Sequence, residues 1–350
     1  MINAKVLGVL VVAAAAALAG VFYSQRSQQH AAVVVVAHFP ALMDQANQVA
    51  KVQIEVGNAA ITLVKGESQW TVEQKAHYPA SPVKVRSLIL GLAELQRIEP
   101  KTSNPELHAK LGLSDNDPQS ESMLIRLKDQ NESEILAVVI GKQKPAGVGG
   151  NRSQYYVRVP TDPQVWLTEG KLPSGRTPAA WIDTRILGSE VGDIQSVKVV
   201  HTDGDQLRIG RKGETDNDYQ LLELSEDEEV ESNYSINNVP RTLQSLTADD
   251  VIPIDNMQLS SDPIRVQVDT GEGVRINVAL FKQDDKIYAR LNAAILPNED
   301  NSAPAMDKIG VLEARWKQWV YVIPEHQYDA VTIKKTDLIK AKGTEPEPRA

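Results

Sequence analysis

The sequence predicts an α+β protein of two tandem related units. Each unit is a mixed or antiparallel sheet with one main helix, and an N-terminal transmembrane helix precedes both. Three observations predict it. Val6 to Tyr23 is one unbroken apolar run. Short alternating apolar segments bounded by turn residues then recur twice in the same order. Strand and helix do not alternate regularly, so a doubly wound parallel sheet is not expected.

The apolar run is 18 residues long, flanked by Lys5 and Arg26. A helix of that length spans about 27 Å, close to the hydrocarbon thickness of a bilayer. Ala17-Leu18-Ala19 also fits a cleavage site for a secretory signal. The uncleaved anchor is preferred because Val21-Phe22-Tyr23 stays apolar where a signal would turn polar. Lys5 on the short side favours a cytoplasmic N-terminus, which puts the protein in the inner (cytoplasmic) membrane as a single-pass chain. The body then lies on the periplasmic or extracellular side. The chain has no cysteine, which rules out a lipoprotein anchor and a disulfide scaffold.

Residues 1–23 are thus the anchor. Residues 24–50 are a stalk and an amphipathic helix, opened by Pro40, with Leu42, Met43, Ala46 and Val49 on one face. Residues 51–190 form the first unit. Its strands are expected at Val52–Val56, Ile61–Val64, Trp70–Val72, Met123–Leu127, Ile135–Ile140, Tyr155–Val159 and Val165–Leu167. Ser81 caps its helix, Pro82 takes the first helical position, and Leu88, Leu92 and Leu95 line one face. Residues 191–340 form the second unit. Strands are expected at Val197–Val200, Leu207–Ile209, Tyr219–Leu222, Ile264–Val268, Val274–Phe281, Ile287–Leu291 and Trp319–Ile323, with a helix near Asn238–Leu246. Matching elements lie near 150 residues apart, with drift of about ten to twenty. Residues 341–350 alternate Glu and Pro and are expected to be a disordered tail.

No motif assigns chemistry. There is no nucleophile elbow, no phosphate loop and no HExxH. His30, His38, His77, His108, His201 and His326 stand singly, without metal spacing. Gly147-Val148-Gly149-Gly150 reads as a hairpin loop, and Asp203-Gly204-Asp205 as a hairpin turn. Glu214 to Glu231 holds nine acidic residues and no Lys or Arg, which equals the whole net charge of −9. It lacks the ligand order of a calcium loop and reads as a solvated hairpin or loop. An acidic to neutral body is a poor nucleic-acid binder. Trp70, Trp166, Trp181, Trp316 and Trp319 could stack on sugars, but core packing is the simpler expectation. Asp115 and Asp117 could serve a hydrolase only with a geometry that sequence does not supply. No catalytic, cofactor-binding or metal-binding residue is assigned, and no cofactor is expected.

One stretch carries a resemblance. It contains Trp70-Thr71-Val72, His77-Tyr78-Pro79-Ala80-Ser81-Pro82, Leu92-Ala93-Glu94-Leu95, Lys101-Thr102-Ser103-Asn104-Pro105 and Leu111-Gly112-Leu113. Phe39-Pro40-Ala41-Leu42 and Trp319-Val320-Tyr321-Val322-Ile323 extend it over nearly all of Ala37 to Leu338. The chain resembles the domain-of-unknown-function family numbered 4340, most specifically at Lys101 to Leu113. The resemblance implies a single-span protein with an exported body, associated with an ABC-type transport system of the gliding-motility auxiliary kind. Its implied partners are the membrane, an ABC permease and a second exported-domain subunit. It implies no catalytic residues. Asn104-Pro105 should start a short helix and Gly112 should stop it at positive φ. The expected function is a non-enzymatic accessory subunit, with an extracytoplasmic glycan- or peptide-binding protein as the alternative. The loops Ala146–Ser153 and Glu214–Glu231 are candidate contact surfaces.

The anchor reading has a direct check. The full chain should sediment with membranes and resist extraction at alkaline pH; release into the soluble fraction would refute it.

Overall fold

A computed structural model describes residues 36–114, 122–144, 152–188, 192–213, 218–260, 262–297 and 303–342. The apolar run, His30, Gly147–Gly150, Asp115, Asp117 and residues 343–350 lie outside them, while the start of the expected disordered tail is ordered: Ala341 ends a strand paired with Glu228. Among the described residues no helix is long and apolar enough to cross a membrane.

In chain order the elements are α1 (Pro40–Gln45), β1 (Lys51–Val56), β2 (Ala59–Lys65), β3 (Trp70–Val72), β4 (Tyr78–Pro79), α2 (Pro82–Ala93), β5 (Gln96–Thr102), β6 (Met123–Lys128), β7 (Glu134–Lys144), β8 (Ser153–Arg158) and β9 (Val165–Gly170). There follow β10 (Ile194–Val200), β11 (Gln206–Arg211), β12 (Tyr219–Leu221), β13 (Glu228–Val230), α3 (Asn233–Gln244), β14 (Asp250–Pro253), β15 (Ile264–Thr270), β16 (Val274–Gln283), β17 (Lys286–Ile295), α4 (Ala303–Trp316), β18 (Trp319–Val322), α5 (Glu325–Val331) and β19 (Ile339–Ala341).

The protein is α+β, mostly antiparallel sheet, in two large sheets. The first runs β4-β3-β2-β1-β6-β7-β8-β9-β5, and the second β12-β11-β10-β15-β16-β17-β18-β14. With β4 set aside, adding nine to each strand number of the first sheet gives the second. In both, one edge strand follows the helix in sequence but pairs with the last strand of the meander: β5 with β9, and β14 with β18.

Alternation explains the strands. Met123, Ile125 and Leu127 on β6 are buried while Leu124, Arg126 and Lys128 are only partly covered, so one face meets the core. On α2, Ser81 accepts a hydrogen bond from the Lys84 amide at 3.4 Å and Pro82 opens the first turn, as expected. The helix buries Val85, Leu88, Ile89 and Leu92 on the sheet. On α3, Ser232 caps the helix, which buries Ile236, Val239 and Leu243.

Each sheet also buries a smaller cluster on its opposite face. Leu113, Val139 and Val165 form one. Phe281, Tyr288 and Val320 form the other. In both cases the chain leaving the edge strand (β5 or β14) folds back across that face. On the first sheet it does so through the motif region. Asn104 accepts from the Glu106 amide at 3.0 Å and starts a 3-10 turn, and Gly112 ends the next turn at φ +69°, as the motif predicted.

The segment between the sheets anchors itself by four buried side chains. Trp181, Ile182, Ile186 and Leu187 all belong to the main core. The Ser81 amide donates to the Trp181 carbonyl and the Asp183 amide to Pro79, both at 2.8 Å. On the other side the Ile186 amide donates to Leu246 at 2.9 Å and the Ala248 amide to Thr184 at 2.7 Å. Tyr78 of the first sheet meets Trp319 of the second edge to face, with ring centroids 5.0 Å apart.

Several expectations are corrected. The second unit has three helices, not one: α3, α4 and α5. α4 escapes detection because it buries only Ala305, Leu312 and Trp316 while leaving Met306 and Val311 exposed, which blurs the helical period. α3 starts at Asn233, not Asn238, with Pro240 inside it. Met43 is exposed, and α1 gives way to a 3-10 turn at Ala46–Gln48, so only Leu42 and Val49 of the expected face are fully buried. β5 has almost no buried residue and so no alternation to find.

Trp316 is fully buried and its indole N–H donates to Ile186 at 3.2 Å. Trp316→Ala should cost about 3–5 kcal/mol of unfolding free energy by denaturant titration. Val311→Ala on the exposed side of the same helix should change it by less than about 0.5 kcal/mol.

Candidate functional site

A depression lies on the helix side of the first sheet, where β7 and β8 leave the cover of α2. Its volume is about 550 Å³. Met123, Ile140 and Tyr155 form its floor, Leu172 and Ser174 one wall, and Lys142 and Arg176 bring positive charge. A β-bulge shapes it: Ile140 pairs with Val157, but Gln143 pairs with Tyr155, so β7 carries one extra residue there. The Tyr155 hydroxyl accepts a hydrogen bond from the Leu172 amide at 3.3 Å, which holds the wall to the floor.

The motif region supports that bulge from behind. A Cβ on Gly141 would lie 2.4 Å from the Leu111 carbonyl oxygen, so the two backbones touch. A Cβ on Gly112 would meet the Lys142 amide nitrogen at 3.1 Å. Leu111-Gly112-Leu113 is therefore packed directly against Gly141 and Lys142. The sequence signal that could have marked this place is Gly141, a single glycine inside the β7 strand pattern, where a bulge and a close backbone approach are expected.

A second groove of about 390 Å³ runs between the α1 region and α2. Trp70, Val83 and Ile89 supply apolar surface, and Lys65 and Arg86 flank it. Neither cation has an ion-pair partner among the described residues. Val83 is 73% exposed at its rim.

The other tryptophans sit elsewhere. Trp181 and Trp316 are core, as expected. Trp181 also lies beneath Lys84, whose nitrogen is 5.3 Å from the ring centroid. Burial lowers the Lys84 pKa. Trp319 is half-buried against Tyr78. Burial raises the pKa of both Tyr78 and Tyr321 in this seam, so they stay neutral donors. Trp166 is half-buried with the Arg97 guanidinium stacked on it at 4.7 Å.

The described histidines are dispersed through the fold. His108 contacts the Pro163 carbonyl at 3.0 Å, and His201 opens the Asp203-Gly204-Asp205 hairpin, with Gly204 at φ +89° as the turn reading required. The described part of the acidic stretch forms β12 and β13. Glu228 and Glu229 on β13 pair with Lys335 and Lys340 at 2.8 and 3.2 Å, so these carboxylates are partly neutralised.

His38 is the most perturbed of these groups. The Val36–His38 segment runs beside β5: the His38 amide donates to Leu95 at 2.6 Å and the Arg97 amide to Val36 at 3.0 Å. Arg97 Nε donates to His38 Nδ1 at 2.9 Å, so the ring proton sits on Nε2, which has no partner. Burial, and then the Arg97 charge, bring the His38 pKa down to about 4. The unfolded chain therefore binds a proton here between pH 6.5 and 4 that the folded chain refuses. This contribution to stability is complete above pH 6.5 and is lost as pH falls through 4. It amounts to about 3 kcal/mol. His38→Asn, which keeps an acceptor for Arg97, should flatten stability against pH in that window when unfolding is followed at fixed temperature.

The family model described as Domain of unknown function (DUF4340) matches residues 70–263, more than half of the chain. The match contains the Lys101–Leu113 motif and the whole cleft at Lys142. No curated protein and no solved structure matches the chain.

Proposed function

The chain belongs to the DUF4340 family, and from that premise we propose that it is a non-enzymatic, membrane-anchored accessory subunit of an ABC-type transport or envelope assembly. Val6–Tyr23 holds it in the cytoplasmic membrane as a single span, with the body on the periplasmic or extracellular side. Its partners are an ABC permease and a second exported-domain subunit, not nucleic acid. The two sheets are copies of one ancestral unit, a reading supported by their common strand order.

One observation carries this reading. The most family-specific stretch of the chain shapes a surface cleft: Leu111, Gly112 and Leu113 pack behind the bulge that opens it. A motif that builds an apolar, cationic surface suits partner binding.

A second reading, an extracytoplasmic binding protein for glycan or peptide, draws on the other groove. There Trp70 lines the groove together with Lys65 and Arg86, an aromatic ring for stacking and positive charge in one depression.

Affinity isolation of the tagged full chain from its native membrane in mild detergent, with mass spectrometry, separates the two. The permease, its ATPase and a second exported-domain protein should co-purify. Recovery of the protein alone would refute the accessory-subunit reading and favour the second.

A further inference from the structure

The groove between the α1 region and α2 gathers aromatic, aliphatic and cationic side chains in one depression. Lys65 and Trp70 are direct partners across β2 and β3, so they stand side by side on one face. Val83, Arg86 and Leu90 follow at three- and four-residue steps along one stripe of α2. The lining holds two cations and no carboxylate; Asp44 and Glu67, the acidic residues nearest to it in sequence, lie outside it. In a chain of net charge −9 that is a local reversal of sign. Val83 stands exposed at the rim, and Met43, also exposed, lies one turn before Ala46 of the lining.

The groove also lies near the point where the chain departs toward the proposed span. The His38 amide is bonded to Leu95, just past the end of α2. Val83 is the second residue of the same helix, about 18 Å away along its axis. Residues 24–35 reach at most about 40 Å. The groove is therefore within reach of the bilayer that would hold Val6–Tyr23.

We propose that this groove is the body's resting contact with the membrane, a docking face for anionic phospholipid of that same bilayer. Lys65 and Arg86 meet headgroup phosphates, Trp70 sits at the headgroup level, and Val83 and Met43 enter the acyl boundary. A soluble glycan would stack on Trp70 but gain nothing from Val83 and Met43. Two cations and a few apolar side chains hold a free protein weakly. On a chain already anchored they need only set which way the body faces. The inference rests on the anchored reading, and it gives the groove a different occupant from the glycan or peptide of the second reading.

The chain has no cysteine, so Val83→Cys carries a single thiol for an environment-sensitive fluorophore. The labelled full chain is placed in nanodiscs of phosphatidylcholine, alone or mixed equally with phosphatidylglycerol, and acrylamide quenching reads the exposure of the label. The label should be protected and blue-shifted in the mixed discs only, and high salt should expose it. The ratio of protected to accessible label should fall about fivefold with Lys65→Gln and again with Arg86→Gln. Both residues are exposed, and thermal melts check that the variants fold; should one misfold, the other decides. A label at Val311→Cys, on the exposed side of α4, should stay accessible throughout. Equal accessibility in the two discs overturns the proposal, as does protection that survives both substitutions or that appears equally at Val311→Cys. Protection in detergent without phospholipid also overturns it: arising with concentration, it makes a second copy the occupant; arising on addition of soluble glycan, it returns the groove to the second reading. Failure of the full chain to co-elute with either disc refutes the anchor itself, and is read before any quenching.

Discussion

The two sheets depend on the segment that joins them. Connections between sheets normally cross the surface, where water can satisfy their backbone groups. Here Trp181, Ile182, Ile186 and Leu187 are buried on either side of an exposed Thr184-Arg185 step, so the backbone beside them must find partners in the protein. It finds them on both sides at once: Ser81 and Pro79 in the first unit, Leu246 and Ala248 in the second. The Trp316 indole adds a donor to Ile186. Because the joining segment sits inside one continuous hydrophobic cluster that draws on both sheets, neither sheet can lose its packing there without exposing the other. The Tyr78, Trp319 and Tyr321 rings extend this contact from the segment to the strands themselves.

Open sheets carry unpaired edges, and this chain treats its edges unequally. β5 is exposed along most of its length. Pro100 removes one donor there, Lys101 and Glu99 pair across it, and the Val36–His38 segment covers its start. On the second sheet, β14 is tied into the seam by the ion pair between Lys75 and Asp250. The first sheet thus leaves its edge strand more exposed than the second does. The asymmetry arises after the meander: the chain leaving the second sheet continues into α5, while that leaving the first continues without a helix toward Trp181.

Much of this was legible in the sequence. Ser81-Pro82 gave the start of α2, Asn104-Pro105 and Gly112 gave the motif turns, and alternation gave the long strands of both sheets. These are local signals, set by capping, fixed proline geometry and side-chain burial on one face. What stayed hidden depends on distant partners. β5 has no buried face, so nothing in its composition marks a strand. α4 divides its apolar residues between core and solvent. The cleft was invisible because its floor comes from β6, β7 and β8 and its shape from a bulge that Leu111 and Gly141 create together across about 30 residues of chain. Its one trace is Gly141, a single glycine in a strand pattern, whose close approach to Leu111 shows only in space.

The pairing of Val36–His38 with β5 bears on how strongly any partner must bind. On the anchored reading proposed above, it fixes the point at which the body would be leashed. Between that point and the proposed membrane span lie residues 24–35, a tether no longer than about 40 Å at full extension. A partner in the same membrane therefore meets the first sheet at an effective concentration in the millimolar range. Contacts of modest intrinsic affinity would stay occupied under those conditions. A body cut free of its leash would keep every surface intact and still lose its complex by dilution alone.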